Sequence, residues 1–371
     1  MTGARHLYVH LPFCSHRCGY CDFVTLVGRA DQHNAYVSAL LAELDLERPL
    51  LAPRLETVFV GGGTPTFTEP GAFERVLGAL PEADEVTVEA NPETVTPALA
   101  SVLRSHGVDR VSLGAQTFQP HLLEVLERRA DRDTIRRAVH TLRKAGFDNV
   151  SLDLIYAIPG QSAGDLAADL EEALALDPEH LSCYELEAKP GTRFTHAYGE
   201  ELGRQADAME TYLERVVDRL VAGGYRWYET ANFCRADKRR DLRSRHNLAY
   251  WRGRDYLGIG IGAVSTIGDR RWRNAPRLAP YVAALAAGQA PPREHEPLSR
   301  DVRRRERLML GLRLDEPLAL DAVRAAVDDA ALMRMTSLGL AEVVRADDAA
   351  TVRLTRRGRF LGGGVTVALL T

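Results

Sequence analysis

The sequence predicts an α/β protein, with six βα units in a row followed by a small, mainly helical tail. Three observations carry this expectation. Short β-rich runs alternate with amphipathic stretches over the first two-thirds of the chain. Those runs are apolar or nearly so, as in strands buried on both faces of a parallel sheet. Beyond about residue 225 the alternation stops. Six such units suit either a doubly wound sheet or a TIM-like barrel, whole or partial.

The expected strands are residues 7–10, 57–60, 85–89, 110–113, 149–155 and 180–186. The first expected helix places Tyr36, Val37, Leu40, Leu41 and Leu44 on one face. The next opens on Pro97 ahead of 98–105, at a first-turn position where an N–H would have no partner anyway. Further helices are expected over 120–128, over 133–144 closed by Gly146, over 165–176 closed by Asp177 and Pro178, and over 206–222 closed by Gly223 and Gly224. Residues 225–275 are dense in aromatics, Arg and Gly, and the proline-rich 290–297 reads as a linker. The tail reads as helices over 299–312, 318–326 and 330–338, then a hairpin from 341–344 to 352–354. That order is similar to a winged-helix module. The expected regions are 1–225, 226–290 and 298–371.

Of the 371 residues, 45% are hydrophobic and 26% charged, enough apolar material for a sizeable core. A net charge of −4 gives no global basic field for nucleic acid or an anionic membrane. The tail shows no basic recognition stripe, so no nucleic-acid partner is expected. Nothing approaches the roughly 18 apolar residues of a membrane span, and the first ten residues do not read as a signal peptide. A cytoplasmic protein is expected, with membrane contact at most peripheral.

Five cysteines in a chain this long do not form a disulfide framework. Cys183 and Cys234 stand alone and read as small buried hydrophobes. Cys14, Cys18 and Cys21 cluster within eight residues, the pattern of a soft-metal site. Structural zinc wants four closed ligands, and His16 is awkwardly placed inside the loop to be the fourth. A [4Fe–4S] cluster takes one cysteine per iron, so three would leave one iron open. Zinc and a redox thiol trio are the alternatives. Polar residues also recur near strand carboxyl ends: the run Gly61, Gly62, Gly63 and Thr64, then Glu89, Gln116 and Asp153. Both architectures bind ligands there. The glycine run lacks the lysine of a nucleotide phosphate loop; it reads as a tight turn that lets backbone approach a small molecule.

The Cys-x3-Cys-x2-Cys loop after the first strand, preceded by Leu7 to Phe13 and followed by Asp22 and Phe23, resembles the radical S-adenosylmethionine (SAM) enzymes. The resemblance implies a partial (β/α)6 barrel, a [4Fe–4S] cluster on Cys14, Cys18 and Cys21, and SAM chelating the fourth iron. It assigns Gly62, Gly63 and Thr64 to the SAM amino group. Glu89 with Ala90, Asn91 and Pro92, Gln116 with Leu113 to Thr117, Arg128, and Asp153 with Leu154 to Tyr156 narrow it to the coproporphyrinogen-oxidase-like branch, HemN and HemW. There Glu89, Gln116, Arg128 and Asp153 would contact SAM, Tyr8 would lie beside the cluster, and Tyr20 against the adenine.

The string His246, Asn247, Leu248, Ala249, Tyr250, Trp251 is similar to the signature of the branch's heme chaperones. It implies His246 as an axial heme ligand, with Tyr250 and Trp251 offering flat faces to a porphyrin. The bland reading of His246 is a hydrogen-bonded core residue. Phe23 replaces a cysteine expected in the oxidases, and Cys14 lies too near the start for their N-terminal extension. Val264 departs from the branch, which commonly has histidine there. The implied function is heme chaperoning, with heme, acceptor hemoproteins and a reductant such as flavodoxin or ferredoxin as partners. The alternative is an oxygen-independent coproporphyrinogen III oxidase, or a HemN-like methyltransferase or cyclopropanase.

Overall fold

The computed structural model describes residues 3–187, 189, 192–346 and 349–371, with 199–210, 346 and 349 by backbone alone. Strands β1 (His6–Leu11), β2 (Leu55–Gly62), β3 (Ala83–Ala90), β4 (Arg110–Gln116), β5 (Val150–Tyr156) and β6 (His180–Glu185) run parallel, each beside the next. Helices α1 (His33–Glu47), α2 (Pro70–Ala79), α3 (Pro97–Ser105), α4 (Pro120–Val125), α5 (Arg132–Lys144) and α6 (Ala163–Ala175) connect them, and α7 (Arg193–Ala222) follows β6.

Helix α2 is an addition to the sequence expectation. Two glycines weaken its local signal, but Ala72, Phe73, Val76 and Leu77 are buried, and the Glu69 carboxylate caps the N–H groups of Gly71 and Ala72.

The strands are buried on both faces, but the two faces differ in chemistry. Leu7, Val9, Val58, Val60, Val88, Val111, Leu113, Leu152 and Leu154 belong to the main apolar core that the helices cover. Alternate positions point to the other side and are polar: His6, Thr57, Glu85, Thr87, Arg110, Ser112, Ser151, His180 and Ser182, all buried. They bond across strands, as in His6 Nδ1 to Thr57 Oγ1 (2.9 Å) and Arg110 Nη2 to His180 Nδ1 (3.2 Å). The inner face is thus a polar lumen, which corrects the expectation of nearly continuous apolar strands.

The sheet extends at both ends. A hairpin of β7 (Tyr225–Trp227) and β8 (Asn232–Arg235) adds antiparallel to β6. Beyond α8 (Arg245–Trp251), β9 (Leu257–Ile259) pairs parallel with β1. The nine-stranded order is β9-β1-β2-β3-β4-β5-β6-β8-β7, with no pairing between the two ends among the described residues. Of the architectures that six βα units left open, this is the partial barrel that the family resemblance implied.

Strands β10 (Val264–Ile267), β11 (Arg270–Asn274) and β12 (Arg293–Pro297) form a small antiparallel sheet, and α9 (Leu278–Ala286) packs on α1. The segment read as a linker is therefore an edge strand. Its prolines flank it or end it, where no ladder hydrogen bond is lost. Glu43 of α1 ties this region to the barrel. Fully buried, its carboxylate accepts from Gly260 N (2.8 Å), Asn274 Nδ2 (2.7 Å) and Tyr281 Oη (2.6 Å), with Arg293 at 3.3 Å.

The tail holds α10 (Arg300–Gly311), β13 (Leu318–Ala319), α11 (Asp329–Ser337), the hairpin β14 (Ala341–Ala346) with β15 (Ala349–Leu354), α12 (Arg356–Phe360) and α13 (Gly362–Leu369). It has its own core around Leu308, Leu312, Leu332 and Val352. The helix expected over 318–326 is instead β13 and a 3-10 turn, Arg324–Ala326. Leu318 and Ala319 pair with Val352 and Thr351, partners too distant in sequence for a local pattern to reveal. The tail docks through the Arg226–Asp315 ion pair (2.7 Å) and through Arg359, whose guanidinium lies 3.6 Å over the Trp227 ring. No described helix is long and apolar enough to cross a membrane.

Candidate functional site

The carboxyl ends of the parallel strands and the loops after them enclose a cavity of about 440 Å³. Its wall includes Cys14, Cys18, Tyr20, Cys21, Gly62, Gly63, Thr64, Glu89, Gln116, Arg128 and Asp153. Six separate strand ends and loops thus bring most of the candidates together.

The cysteine loop leaves β1 and is closed by a two-residue ladder, Phe13–Cys14 against Leu26–Val27. Its three thiols are free and half-buried. Burial pushes the Cys14 thiol up to about 11 and that of Cys21 upward. Among the described residues no three His, Cys, Asp or Glu groups converge on a single ion. His16 instead points Nε2 at the Glu127 carbonyl, 2.7 Å away. Three thiols spread along one loop suit a cubane, which takes one per iron.

The glycine run must be glycine. Gly62 sits at φ 121°, a conformation that side chains rarely adopt. A Cβ on Gly63 would lie 2.5 Å from the Pro12 carbonyl oxygen and 2.9 Å from Cys14 Sγ. One on Gly61 would lie 2.8 Å from Glu89 Oε2. The turn is therefore wedged between the cysteine loop and the β3 carboxylate. Gln116 reaches the wall through a register shift between Gly114 and Gln116, with its own backbone at φ 66°.

Two carboxylates occupy the cavity floor. Glu89 accepts from Gly62 N (3.1 Å), and both oxygens of Asp153 accept from Ser112 Oγ (3.2 and 3.1 Å). Burial, reinforced by repulsion from Asp153, pushes Glu89 up to about 7; burial also pushes Asp153 upward. Arg128 donates from Nη2 to Asn91 Oδ1 (3.0 Å) and the Gly114 carbonyl (2.9 Å), and its Nη1 faces Cys18 Sγ at 3.9 Å. Its buried Nε has no partner among the described residues. Asn91 in turn donates to Thr64 Oγ1 (3.1 Å). Acid for a cation, an unspent guanidinium N–H for a carboxylate and thiols for iron fit the cluster and SAM. Asn91 and Ser112 were not singled out as site residues; the signal was that Ser112 alternates with apolar neighbours in β4 and that Asn91 follows Glu89 two residues on, just past the end of β3.

Two candidates are not on this wall. Tyr8 stands on the inner face of β1, stacked on Phe59 with ring centroids 6.2 Å apart, its hydroxyl 3.0 Å from His10 Nδ1. His246 is buried on α8, and both ring nitrogens are engaged: Nδ1 lies 2.7 Å from Thr57 Oγ1 and Nε2 lies 2.9 Å from Tyr250 Oη. Burial pushes its imidazole down to about 3. The expectation that His246 is an axial heme ligand does not match this geometry, because neither nitrogen has a free lone pair facing open space. The bland reading, a hydrogen-bonded core histidine, describes it. Trp251 is likewise engaged, with the Arg313 guanidinium 4.4 Å from its ring.

Residues 8–173 match the radical SAM superfamily model. The heme chaperone HemW of Mycobacterium tuberculosis is 35% identical, over 98% of this chain and 94% of its own. That of Bacillus subtilis is 34% identical over 82% of each. Coproporphyrinogen III oxidase (HemN) from Escherichia coli, described as a radical SAM enzyme, shares the fold with a TM-score of 0.82 at 24% identity, covering 100% of this chain and 91% of its own.

Proposed function

Because the chain belongs to the HemW family of the radical SAM superfamily, we propose that it is a heme chaperone, binding heme and passing it to acceptor hemoproteins. Superfamily membership implies a [4Fe–4S] cluster and SAM. Cys14, Cys18 and Cys21 would hold the cluster, leaving one iron open to SAM. When bound, the pair supplies one-electron reductive chemistry, drawing on a reductant of the flavodoxin or ferredoxin kind.

The chain's own residues bind and orient. Glu89 and Asp153 counter the positive charge of SAM, and the backbone of Gly62 and Gly63 with Thr64 approaches its ammonium. Arg128 pairs with the carboxylate, and Gln116 and Tyr20 close the wall. Tyr8 backs the cavity from the inner face of β1. The observation that supports this most is that three thiols and an acidic pair share one cavity.

The test is anaerobic reconstitution with dithionite and SAM, with hemin present and absent. The expected result is stoichiometric hemin binding and its transfer to an apo-hemoprotein. Rapid 5′-deoxyadenosine formation that depends on a porphyrinogen and alters it would overturn the chaperone reading in favour of an oxidase.

A further inference from the structure

A second cavity, of about 230 Å³, lies far along the chain from the cysteine loop, where the turn that closes α8 meets α10 and Ala322 of the tail. Its wall is Gly253 after α8, Arg303, Arg304 and Arg307 of α10, Leu310, and Ala322 of the tail. The one carboxylate on the wall, Glu306, is already held by both Nη atoms of Arg271 at 2.7 and 2.8 Å.

The cations outnumber their partners. Arg303 meets Asp255 at 3.1 Å and Arg304 meets Asp301 at 3.2 Å. Arg307 spends Nη1 on the Trp251 carbonyl (3.1 Å) and has no carboxylate within ion-pair distance among the described residues; nor has Arg254. Burial, then repulsion from Arg254 and Arg252, holds the Arg307 guanidinium below its ordinary value, and the neighbouring Glu316 is engaged by Arg243 and Arg252. In a chain of net charge −4, a half-buried guanidinium gathered with like charges around an open cavity leaves a place for a counter-anion. A larger cavity, of about 480 Å³, adjoins it and shares Arg303 and Arg304.

We propose that the smaller cavity is an oxyanion site, taking a carboxylate or phosphate group between Arg304 and Arg307. Guanidinium forks match both groups in two parallel hydrogen bonds. Leu310, Ala322 and Gly253 leave an apolar, side-chain-poor floor, so the anion is held by charge from one side. The assignment does not rest on the cluster or on the heme reading.

Thermal unfolding of the full chain at matched ionic strength, in phosphate against chloride, tests it. Phosphate is expected to raise Tm by about 3 °C in the wild type. Arg307→Gln should lose this response and Arg307→Lys should keep part of it. Ala322→Asp, which puts a carboxylate on the wall, should raise Tm without phosphate and remove the response. A second arm compares hemin with hemin dimethyl ester, which lacks the carboxylates. Tighter binding of hemin that Arg307→Gln abolishes, with no phosphate response, identifies the anion as a porphyrin carboxylate. If neither anion distinguishes wild type from Arg307→Gln, or if Ala322→Asp keeps in full whichever anion response the wild type shows, the site is disproved.

Discussion

Glu89 and Asp153 are two carboxylates buried on the same cavity floor, and at neutral pH they do not both ionise freely. A cationic ligand prefers Glu89 ionised, so below about 7 its binding must expel a proton. SAM affinity is therefore expected to rise as the pH climbs through that value and to level off above it. Calorimetry in two buffers of different ionisation enthalpy should detect the released proton on the acid side. Glu89→Gln should weaken binding and flatten the profile. A flat wild-type profile would remove Glu89 from the floor's charge balance.

At the scale of elements, the turn after β2 fixes where the cysteine loop stands, because Gly63 leaves no room for a methyl group beside Pro12 and Cys14. Gly63→Ala should force that loop outward. The expected outcome is far-UV circular dichroism like that of wild type but a cluster content, by iron and sulfide assay, reduced several-fold. Full cluster content in this variant would show that the loop has slack. The close approach of backbone was readable in advance from three consecutive glycines; the turn expected over the run was not borne out as such, since Gly61 and Gly62 end β2 and only Gly63 lies past it. The six strands were readable from their apolar runs. Their inner faces were not, since Glu85, Arg110 and His180 look out of place until the sheet curls, joining Arg110 to His180 and bringing the Arg245 N–H to Glu85. Helix α2 was missed because its cap is a glutamate and two of its residues are glycine. Strand β13 was missed because its partner is more than 30 residues away.

For the whole molecule, the barrel and the tail each have an apolar core, and between them lie polar and aromatic contacts and a small apolar cluster of Tyr228, Cys234, Leu242, Leu248 and Leu314. Arg359 is central to the joint. Burial pushes its guanidinium down to about 10, and it rests on the Trp227 ring while Nη1 donates to the Trp227 carbonyl (2.7 Å). Trp227→Ala removes that face at a cost of about 3–5 kcal/mol. Urea unfolding should then change from one transition to two, and limited proteolysis should cut ahead of α10. A single transition at the wild-type midpoint would mean that the joint is held elsewhere. Of the cofactor site, the thiols and polar strand ends were legible because they are chemically conspicuous. The fate of His246 was not, since a helix packed under the barrel supplies Tyr250 to one nitrogen and β2 supplies Thr57 to the other.

The run from Glu56 through His6, Thr57 and His246 to Tyr250 begins at an exposed carboxylate 3.7 Å from His6 Nε2 and ends inside the protein. A carboxylate only accepts, so it favours the Nε2–H tautomer of His6. Nδ1 of His6 must then accept from Thr57, whose oxygen accepts from His246 Nδ1–H, which leaves Nε2 of His246 to accept from the Tyr250 phenol. The field of one carboxylate, itself paired with Arg5 at 2.8 Å, thereby biases the polarity of every link. Glu56→Gln, which can donate, should allow the sequence to reverse, and nitrogen-15 shifts of His246 would register the exchange of its two ring sites without any atom of its own being altered.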